Sequence, residues 1–210
     1  MKFENYLFDL DGTLTDPGLG ITNSILYALK KFGHPLPPRE ELYPFIGPPL
    51  IDSFKKYCGV SLEEAKHLVD LYREYFSTKG LFENAVYEGI PESLAQLKEN
   101  GIRLFVATSK PEPFAVQILE HFNLSSYFTF IGGSTLEETR TKKEEVIQYV
   151  LETNHLNRAK TLMIGDRIFD IEGARACGLS AAAVLYGYGD HEELSSADYI
   201  LDTPKDLLSI

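Results

Sequence analysis

The amino-acid sequence predicts an α/β fold, a doubly wound parallel sheet with a small all-helical domain inserted after its first strand. Two observations predict this class. Short apolar runs alternate with helical stretches along most of the chain, and such alternation is typical of parallel sheets covered on both faces. After the first apolar run, a long interval shows helical periodicity alone, which indicates the insertion.

The predicted elements of the sheet are short. Apolar runs predict strands over residues 6–8, 102–107, 128–131, 161–164 and 181–185. Helices are predicted over residues 91–100, 143–152 and 169–177. The first of these helices has Pro91 in its first turn and Gly101 just past its end, which are the preferred termini.

The inserted domain is predicted over residues 16–87, which leaves residues 1–15 and 88–210 as a catalytic core. One helix has an apolar face formed by Ile21, Ile25, Leu29 and Phe32. A second helix follows Ser61, and its apolar face is formed by Leu62, Ala65, Val69, Tyr72 and Phe76. Ligands of parallel sheets bind beyond the carboxyl ends of the strands. Since the insertion leaves the sheet at that edge, we expect it to act as a lid.

Charge and composition exclude several classes of function. The formal net charge of −11 opposes binding to a nucleic acid polymer or an anionic membrane surface. It also means that a phosphate substrate needs local positive charge in the site. No apolar run approaches the ~18 residues of a membrane span, and the first residues do not resemble a secretion signal, so we predict a cytoplasmic protein. Cys58 and Cys177 have no spacing typical of zinc sites or disulfide frameworks.

The first candidate site follows the first strand directly, where Asp9 and Asp11 stand two residues apart. In extended backbone this spacing directs both carboxylates the same way, and paired carboxylates suit Mg²⁺. A hairpin turn at Asp11 and Gly12 is the alternative. It is disfavoured because a helix, and no second strand, follows.

Two further candidates are weaker in isolation. Thr108, Ser109 and Lys110 follow the second predicted strand of the sheet, where a hydroxyl can donate to phosphate or merely cap a helix. The basic stretch around Lys143 could supply one cation to a site, although solvated surface charge is the simpler interpretation.

The fourth candidate follows the strand predicted at residues 161–164. Asp166 comes after Gly165, which permits a tight turn, and can complete an oxygen-rich metal site or serve as a helix N-cap. Asp170 lies one helical turn further on and could hold a lysine or a metal-bound water. All four candidates fall at strand carboxyl ends, so they can converge on one edge of the sheet.

Taken in order, these motifs resemble the signature motifs of the haloacid dehalogenase-like hydrolase superfamily, whose core is Rossmann-like. The residues that carry the resemblance are DLDGT at 9–13, Thr108, Lys143 and GDRIFD at 165–170. Lys143 is chosen over Lys142 because the family commonly has an arginine three residues before its lysine, here Arg140. The resemblance spans essentially the whole chain and includes a helical cap after the first motif.

The resemblance implies a mechanism. Asp9 is the nucleophile and forms an aspartyl-phosphate, and Asp11 is the general acid and base. Mg²⁺ is bound by Asp9, by Asp166 and by the backbone carbonyl of Asp11, with Asp170 orienting the lysine or the metal shell. Thr108 and Lys143 bind phosphoryl oxygens. Further substrate contacts are expected from Gly12, Ser109, Lys110 and the cap residue Gly47.

The identity of the substrate stays open at this point. The cap loop around Gly47 resembles that of phosphoglycolate phosphatase-like members, which favours a small phosphate monoester such as 2-phosphoglycolate. A 5′-nucleotidase is the alternative, since aromatic residues of the cap could stack a base, although they could equally form the cap's own core. A β-phosphoglucomutase-like phosphotransferase is disfavoured because the expected cap histidine is absent. A binding module without turnover is disfavoured because every catalytic position is filled, and the oligomeric state is not predicted.

Overall fold

The computed structural model describes residues 2–136 and 139–210, which form two compact units. One unit consists of Met1–Thr15 and Val86–Ile210, and the other of Asp16–Ala85. The roles predicted for these parts, a catalytic core and a cap, stay predictions. None of the helices in the described ranges combines the length and apolarity that a bilayer-spanning segment needs.

The first unit is built on a parallel sheet of six strands in the order β5-β4-β1-β6-β7-β8. The strands are β1 (Asn5–Phe8), β4 (Arg103–Pro111), β5 (Phe130–Ser134), β6 (Thr161–Gly165), β7 (Ser180–Val184) and β8 (Tyr199–Leu201). Strand β1 lies in the middle, and Leu7 is in register with Phe105 of β4 and with Met163 of β6. The predicted doubly wound α/β fold is confirmed.

Helices cover the sheet, and the side chains of successive residues in each strand point to opposite faces of it. The helices of this unit are α4 (Ile90–Glu99), α5 (Glu112–His121), α6 (Lys143–Thr153), α7 (Ile168–Ala176) and α8 (His191–Leu194). Short 3₁₀ segments occur at Ser125–Tyr127, Arg158–Lys160 and Pro204–Ser209. Leu7 and Phe105 belong to the core formed with α6 and α7. The neighbouring Phe8 packs on Phe128, with ring centroids 6.2 Å apart.

Several predicted bounds are wrong in physically informative ways. The strand predicted to end at residue 107 continues as β4 to Pro111, because an irregularity between Ala107 and Pro111 shifts its register with β5 and lets pairing resume at Ser134. The strand predicted at 128–131 lies at Phe130–Ser134. Edge strand β8 was not predicted because its three residues carry no long apolar run.

The second unit is helical, as predicted, apart from residues at its ends. It contains α1 (Gly18–Phe32), a 3₁₀ segment (Arg39–Phe45), α2 (Leu50–Cys58), α3 (Leu62–Tyr75) and a π-helical turn (Phe76–Gly80). Two-residue strands β2 (Thr15–Asp16) and β3 (Ala85–Val86) pair with each other where the chain passes between the units. The sequence does not predict these strands, because two residues are too few to establish a period of two.

Aromatic side chains form much of the interior of this second unit. Phe45 packs edge-on against Phe54 at 5.4 Å, and Tyr72 stacks on Phe76 at 5.2 Å. These four residues are buried, so they support the interpretation of the aromatics as the core of the unit. Ser61 and Glu64 form a capping box at the start of α3. Leu62, predicted on the apolar face, is exposed because it occupies the first turn of the helix.

Candidate active site

Asp9 lies at the carboxyl end of the central strand β1. The parallel ladder reaches one residue beyond the strand, since the amide of Asp9 donates to the carbonyl of Ile164 at 2.9 Å. The carboxylate Oδ1 accepts a hydrogen bond from the amide of Leu10 at 2.7 Å. Asp9 is buried, and these contacts hold its side chain in one orientation at the edge of the sheet.

Lys143, the first residue of α6, joins Asp9 to a second carboxylate. Its Nζ lies 2.9 Å from Oδ1 of Asp9 and 2.8 Å from Oδ1 of Asp170, and it donates to the carbonyl of Ala107 at 3.2 Å. Burial alone would lower the pKa of Lys143, but Asp170 and Asp9 together hold that pKa above its ordinary value. The site therefore contains an ammonium group paired with two carboxylates.

Three buried carboxylates lie together at this edge of the sheet. Asp9, Asp166 and Asp170 each offer an oxygen, and these oxygens lie within 4.8 Å of one another. Burial, and then the neighbouring Asp170 and Asp9, raise the pKa of Asp166 well above its usual range. Burial raises the pKa of Asp170 to about 6, against the opposing effect of Lys143. When all three are ionised, these carboxylates carry more negative charge than Lys143 balances, and a hard divalent cation with oxygen ligands fits the cluster.

Asp166 is held by contacts from two separate parts of the chain. Its Oδ1 accepts from the hydroxyl of Thr13 at 3.3 Å, and its Oδ2 accepts from the amide of Tyr188 at 2.8 Å. Gly12 lies against the same side chain, because a Cβ added to Gly12 would stand 2.0 Å from Oδ2 of Asp166. The loop after β1 can thus approach Asp166 only with glycine at position 12.

Asp11 does not join the carboxylate cluster through its side chain. Its Oδ2 lies 2.7 Å from Nζ of Lys110, and its Oδ1 is buried with no hydrogen-bond partner among the residues described. Burial raises the pKa of Asp11, and Lys110 opposes that rise. The arrangement gives a carboxyl group that neighbours a cation and keeps one oxygen unengaged.

The remaining predicted site residues differ in their surroundings. Thr108 is buried, and its Oγ1 accepts from the amide of Lys110 at 3.2 Å. Ser109 is partly exposed between them. The amide of Gly12 donates to the carbonyl of Thr15 at 2.7 Å. Gly47 belongs to the other unit, where it follows the 3₁₀ segment with a φ of 105°.

The loop after β7 was missed by the sequence analysis. It contributes Tyr186, whose hydroxyl donates to the carbonyl of Thr13 at 3.2 Å, and the amide of Tyr188 that contacts Asp166. A Cβ on Gly187 would stand 2.3 Å from Cβ of Asp166. The available signal was a Gly-Tyr-Gly sequence just past an apolar strand, at the edge where the other motifs lie.

The core of the chain matches a known family. A family model described as haloacid dehalogenase-like hydrolase matches residues 6–184. The matched range includes the whole carboxylate cluster, Lys143, and the pair formed by Asp11 and Lys110.

Individual proteins of known sequence or structure are similar over nearly the whole chain. A 5′-nucleotidase from Pseudomonas aeruginosa is 46% identical over 194 residues, which is 92% of this chain and 88% of that protein. Phosphoglycolate phosphatase 1 from the same species is 30% identical over 214 residues, covering 96% of this chain and 77% of that protein. A solved structure from Clostridium acetobutylicum, described as a predicted phosphatase, gives a TM-score of 0.96 at 44% identity, with both chains fully covered.

Proposed function

The chain belongs to the haloacid dehalogenase-like hydrolases and is a phosphatase of phosphoric monoesters, and from this premise we propose that it acts through an aspartyl-phosphate on Asp9, with Mg²⁺ as cofactor. The observation that carries the proposal is the position of the Asp9 carboxylate, which lies 2.9 Å from the ammonium group of Lys143 and has an oxygen within 4.8 Å of oxygens of Asp166 and Asp170.

The residues present fit a magnesium ion. Asp9, Asp166 and the backbone carbonyl of Asp11 would hold it, and Asp170 would stay paired with Lys143. Oxygen ligands of this kind, at the end of strands and next to a phosphate group, are those that Mg²⁺ prefers. When bound, the ion neutralises charge between the attacking carboxylate and the anionic ester.

The residues of the chain divide the reaction into two steps. In the first, a carboxylate oxygen of Asp9 bonds to phosphorus while the bond from phosphorus to the leaving oxygen breaks, and Asp11 gives that oxygen a proton. In the second, Asp11 takes a proton from water, whose oxygen bonds to phosphorus and displaces Asp9. Water is thus the only co-reactant, and each residue returns to its initial state.

Two further residues are proposed to bind the phosphoryl group. Lys143 offers an ammonium group that is already next to Asp9. The Oγ1 of Thr108 accepts from the Lys110 amide, so its hydroxyl proton is available to donate to a phosphoryl oxygen. Such contacts stabilise charge that develops during transfer, which is the main source of catalysis in phosphoryl transfer.

We propose a nucleoside 5′-monophosphate as the first substrate to test, because the 5′-nucleotidase is the more similar of the two relatives compared. The sequence of the cap loop favours 2-phosphoglycolate, and this two-carbon ester remains the second candidate. Tyr43 and Tyr57 of the Asp16–Ala85 unit are exposed and could stack a base. The predicted contact of Gly47 with the substrate is part of the same proposal.

The test is a phosphatase assay across nucleoside monophosphates, phosphoglycolate and sugar phosphates, with Mg²⁺ or with EDTA. Asp9→Asn should lower kcat by at least about 10³-fold, since it removes the nucleophile. Asp202→Asn, which removes the same charge from an exposed position, is the matched control. Mass spectrometry of acid-quenched protein should detect phosphate on Asp9. Full activity of Asp9→Asn, or equal activity in EDTA, would contradict the proposal.

A further inference from the structure

The segment after β7 contacts the backbone that carries Asp166. The amide of Tyr188 donates to Oδ2 of Asp166 at 2.8 Å, and the amide of Gly189 donates to the carbonyl of Asp166 at 3.1 Å. A Cβ on Gly189 would stand 2.2 Å from that carbonyl oxygen. One loop therefore holds both the carboxylate and the main-chain carbonyl of Asp166.

Glu193 contacts Arg167 and Ile168, the two residues that follow Asp166. Its Oε1 accepts two hydrogen bonds, one from Nε of Arg167 and one from the amide of Ile168, each at 2.9 Å. The Glu193 side chain is 24% exposed, so it lies at the boundary of the site and does not belong to the carboxylate cluster. A single oxygen thus fixes the two residues that follow Asp166.

The position of Glu193 is itself fixed. Asp190 caps the short helix α8, and its Oδ1 accepts from the amide of Glu193 at 2.8 Å. On the other side, the amide of Arg167 donates to Oδ2 of Asp170 at 3.1 Å. The turn between Asp166 and Asp170 is therefore held by two carboxylates, that of Asp170 at its own end and that of Glu193 from helix α8.

We propose that Glu193 is a positioning residue for the metal site, acting through the side chain of Arg167 and the backbone amide of Ile168 to fix the spacing of Asp166 and Asp170. The inference rests on the proposed function, in which Asp166 would hold a divalent cation and Asp170 would stay paired with Lys143 beside it. Outer-shell partners that orient metal ligands commonly change metal affinity by about 10- to 100-fold when they are removed. In this proposal Glu193 acts by placing an acceptor oxygen within hydrogen-bond distance of Nε of Arg167 and the amide of Ile168. The negative charge of its carboxylate contributes less than the position of that oxygen.

Three substitutions separate the acceptor from the charge. Glu193→Gln removes the charge but keeps the amide oxygen that can accept from both donors. Glu193→Asp keeps the charge but shortens the side chain by one methylene, and Glu193→Ala removes the acceptor. Glu192→Gln, at an exposed neighbour on the same helix, controls for a change of surface charge.

The measurement is the Kd for Mg²⁺ by isothermal titration calorimetry on the whole chain, together with the Mg²⁺ dependence of kcat. Glu193→Ala and Glu193→Asp should weaken Mg²⁺ binding by at least about tenfold, with kcat at saturating Mg²⁺ near that of the parent. Glu193→Gln and Glu192→Gln should keep the parent Kd within about twofold. If Glu193→Ala fails to fold, the comparison of Glu193→Asp with Glu193→Gln gives the same answer.

Three outcomes would overturn the inference, and they differ in what else they overturn. If the parent binds Mg²⁺ and both Glu193→Ala and Glu193→Asp bind it equally well, the positioning role of Glu193 is wrong and the proposed function stands. If Glu193→Gln loses as much affinity as Glu193→Ala, charge and not geometry is responsible. If the parent itself shows no Mg²⁺ binding and no Mg²⁺-dependent activity, the proposed function and this inference are both wrong.

Discussion

The ammonium group of Lys110 lies 2.7 Å from Oδ2 of Asp11, and the two side chains are only 5% and 13% exposed. Lys110 reaches this position because β4 continues past Ala107 through a shift of register. Removing one partner of a buried ion pair leaves the other charge uncompensated. Lys110 is therefore suited to hold the side chain of Asp11, the proposed general acid and base, in one orientation. This role adds to the predicted contact of Lys110 with substrate.

Replacing Lys110 with methionine should separate these two roles. Lys110→Met keeps the length of the side chain but removes the ammonium group, so Asp11 loses its ion pair. We expect kcat to fall by at least about tenfold, because a positioned general acid contributes roughly 10²- to 10⁴-fold to the rate. Steady-state kinetics at saturating Mg²⁺ measure this, with Lys205→Met at an exposed position as control. A rise in KM with kcat unchanged would mean that Lys110 binds substrate only.

Mg²⁺ should stabilise the folded protein through the carboxylate cluster. A ligand that binds only the native state adds about 2.7 kcal/mol at a concentration of 100 Kd. We expect Mg²⁺ to raise Tm in the parent and to raise it far less in Asp166→Asn, which lacks one charged ligand. Differential scanning calorimetry with and without EDTA measures both, at matched ionic strength and with Asp202→Asn as control. An equal rise in Asp166→Asn would place the cation elsewhere.

The convergence of the candidate residues could be predicted from the sequence because it follows from topology. Asp9 and Asp166 each come directly after a short apolar strand, and parallel strands bring their carboxyl ends to one edge. The structure places oxygens of Asp9, Asp166 and Asp170 within 4.8 Å of one another, with Lys143 between two of them. Their chemical roles stay predictions.

The features of the site that could not be predicted depend on tertiary contacts, which leave no local pattern in the sequence. The Lys110 that pairs with Asp11 lies in the irregular stretch of β4 between Ala107 and Pro111, and no periodicity in the sequence encodes such a shift. Tyr188 contacts Asp166 through its backbone amide, which every residue except proline possesses. Glu193 looks like ordinary surface charge in the sequence, since its role depends on which backbone groups face it.

Gly187 should be intolerant of any side chain. A Cβ there would stand 2.3 Å from Cβ of Asp166 and 2.4 Å from the carbonyl oxygen of Gly12, so the loop or Asp166 must move. We expect Gly187→Ala to lower the free energy of unfolding by about 1–3 kcal/mol, as overpacking does. Urea unfolding of the metal-free protein measures this change.

Gly101→Ala is the control for the substitution at Gly187. Among the residues that the structure describes, no heavy atom beyond the two chain neighbours lies within 4 Å of the added Cβ at Gly101. Its φ of 82° makes the backbone responsible for any loss of stability. A smaller loss for Gly187→Ala than for Gly101→Ala would mean that the loop after β7 adjusts freely. In that case the close approach of Gly187 does not fix Asp166.

Tyr6 should make the protein less stable at alkaline pH. Its side chain is fully buried in β1 and its hydroxyl donates to the carbonyl of Ile210 at 3.3 Å. Burial, with a smaller effect of Tyr199, raises the pKa of Tyr6 from 10.0 to about 12. Between these values the unfolded chain releases the phenolic proton and the folded chain keeps it. The unfolded state then binds fewer protons, and stability falls as pH rises.

The contribution of Tyr6 is therefore fully present below pH 10 and is lost as the pH rises toward 12. Tyr6→Phe has no proton to release, so its free energy of unfolding should decline less steeply over this interval than that of the parent. Urea unfolding at intervals between pH 9 and pH 12 measures the two slopes, with Tyr57→Phe at an exposed position as control. Equal slopes in the parent and in Tyr6→Phe would show that Tyr6 ionises as readily in the folded chain as in the unfolded chain. Its burial in β1 would then contribute nothing to the alkaline limit of stability.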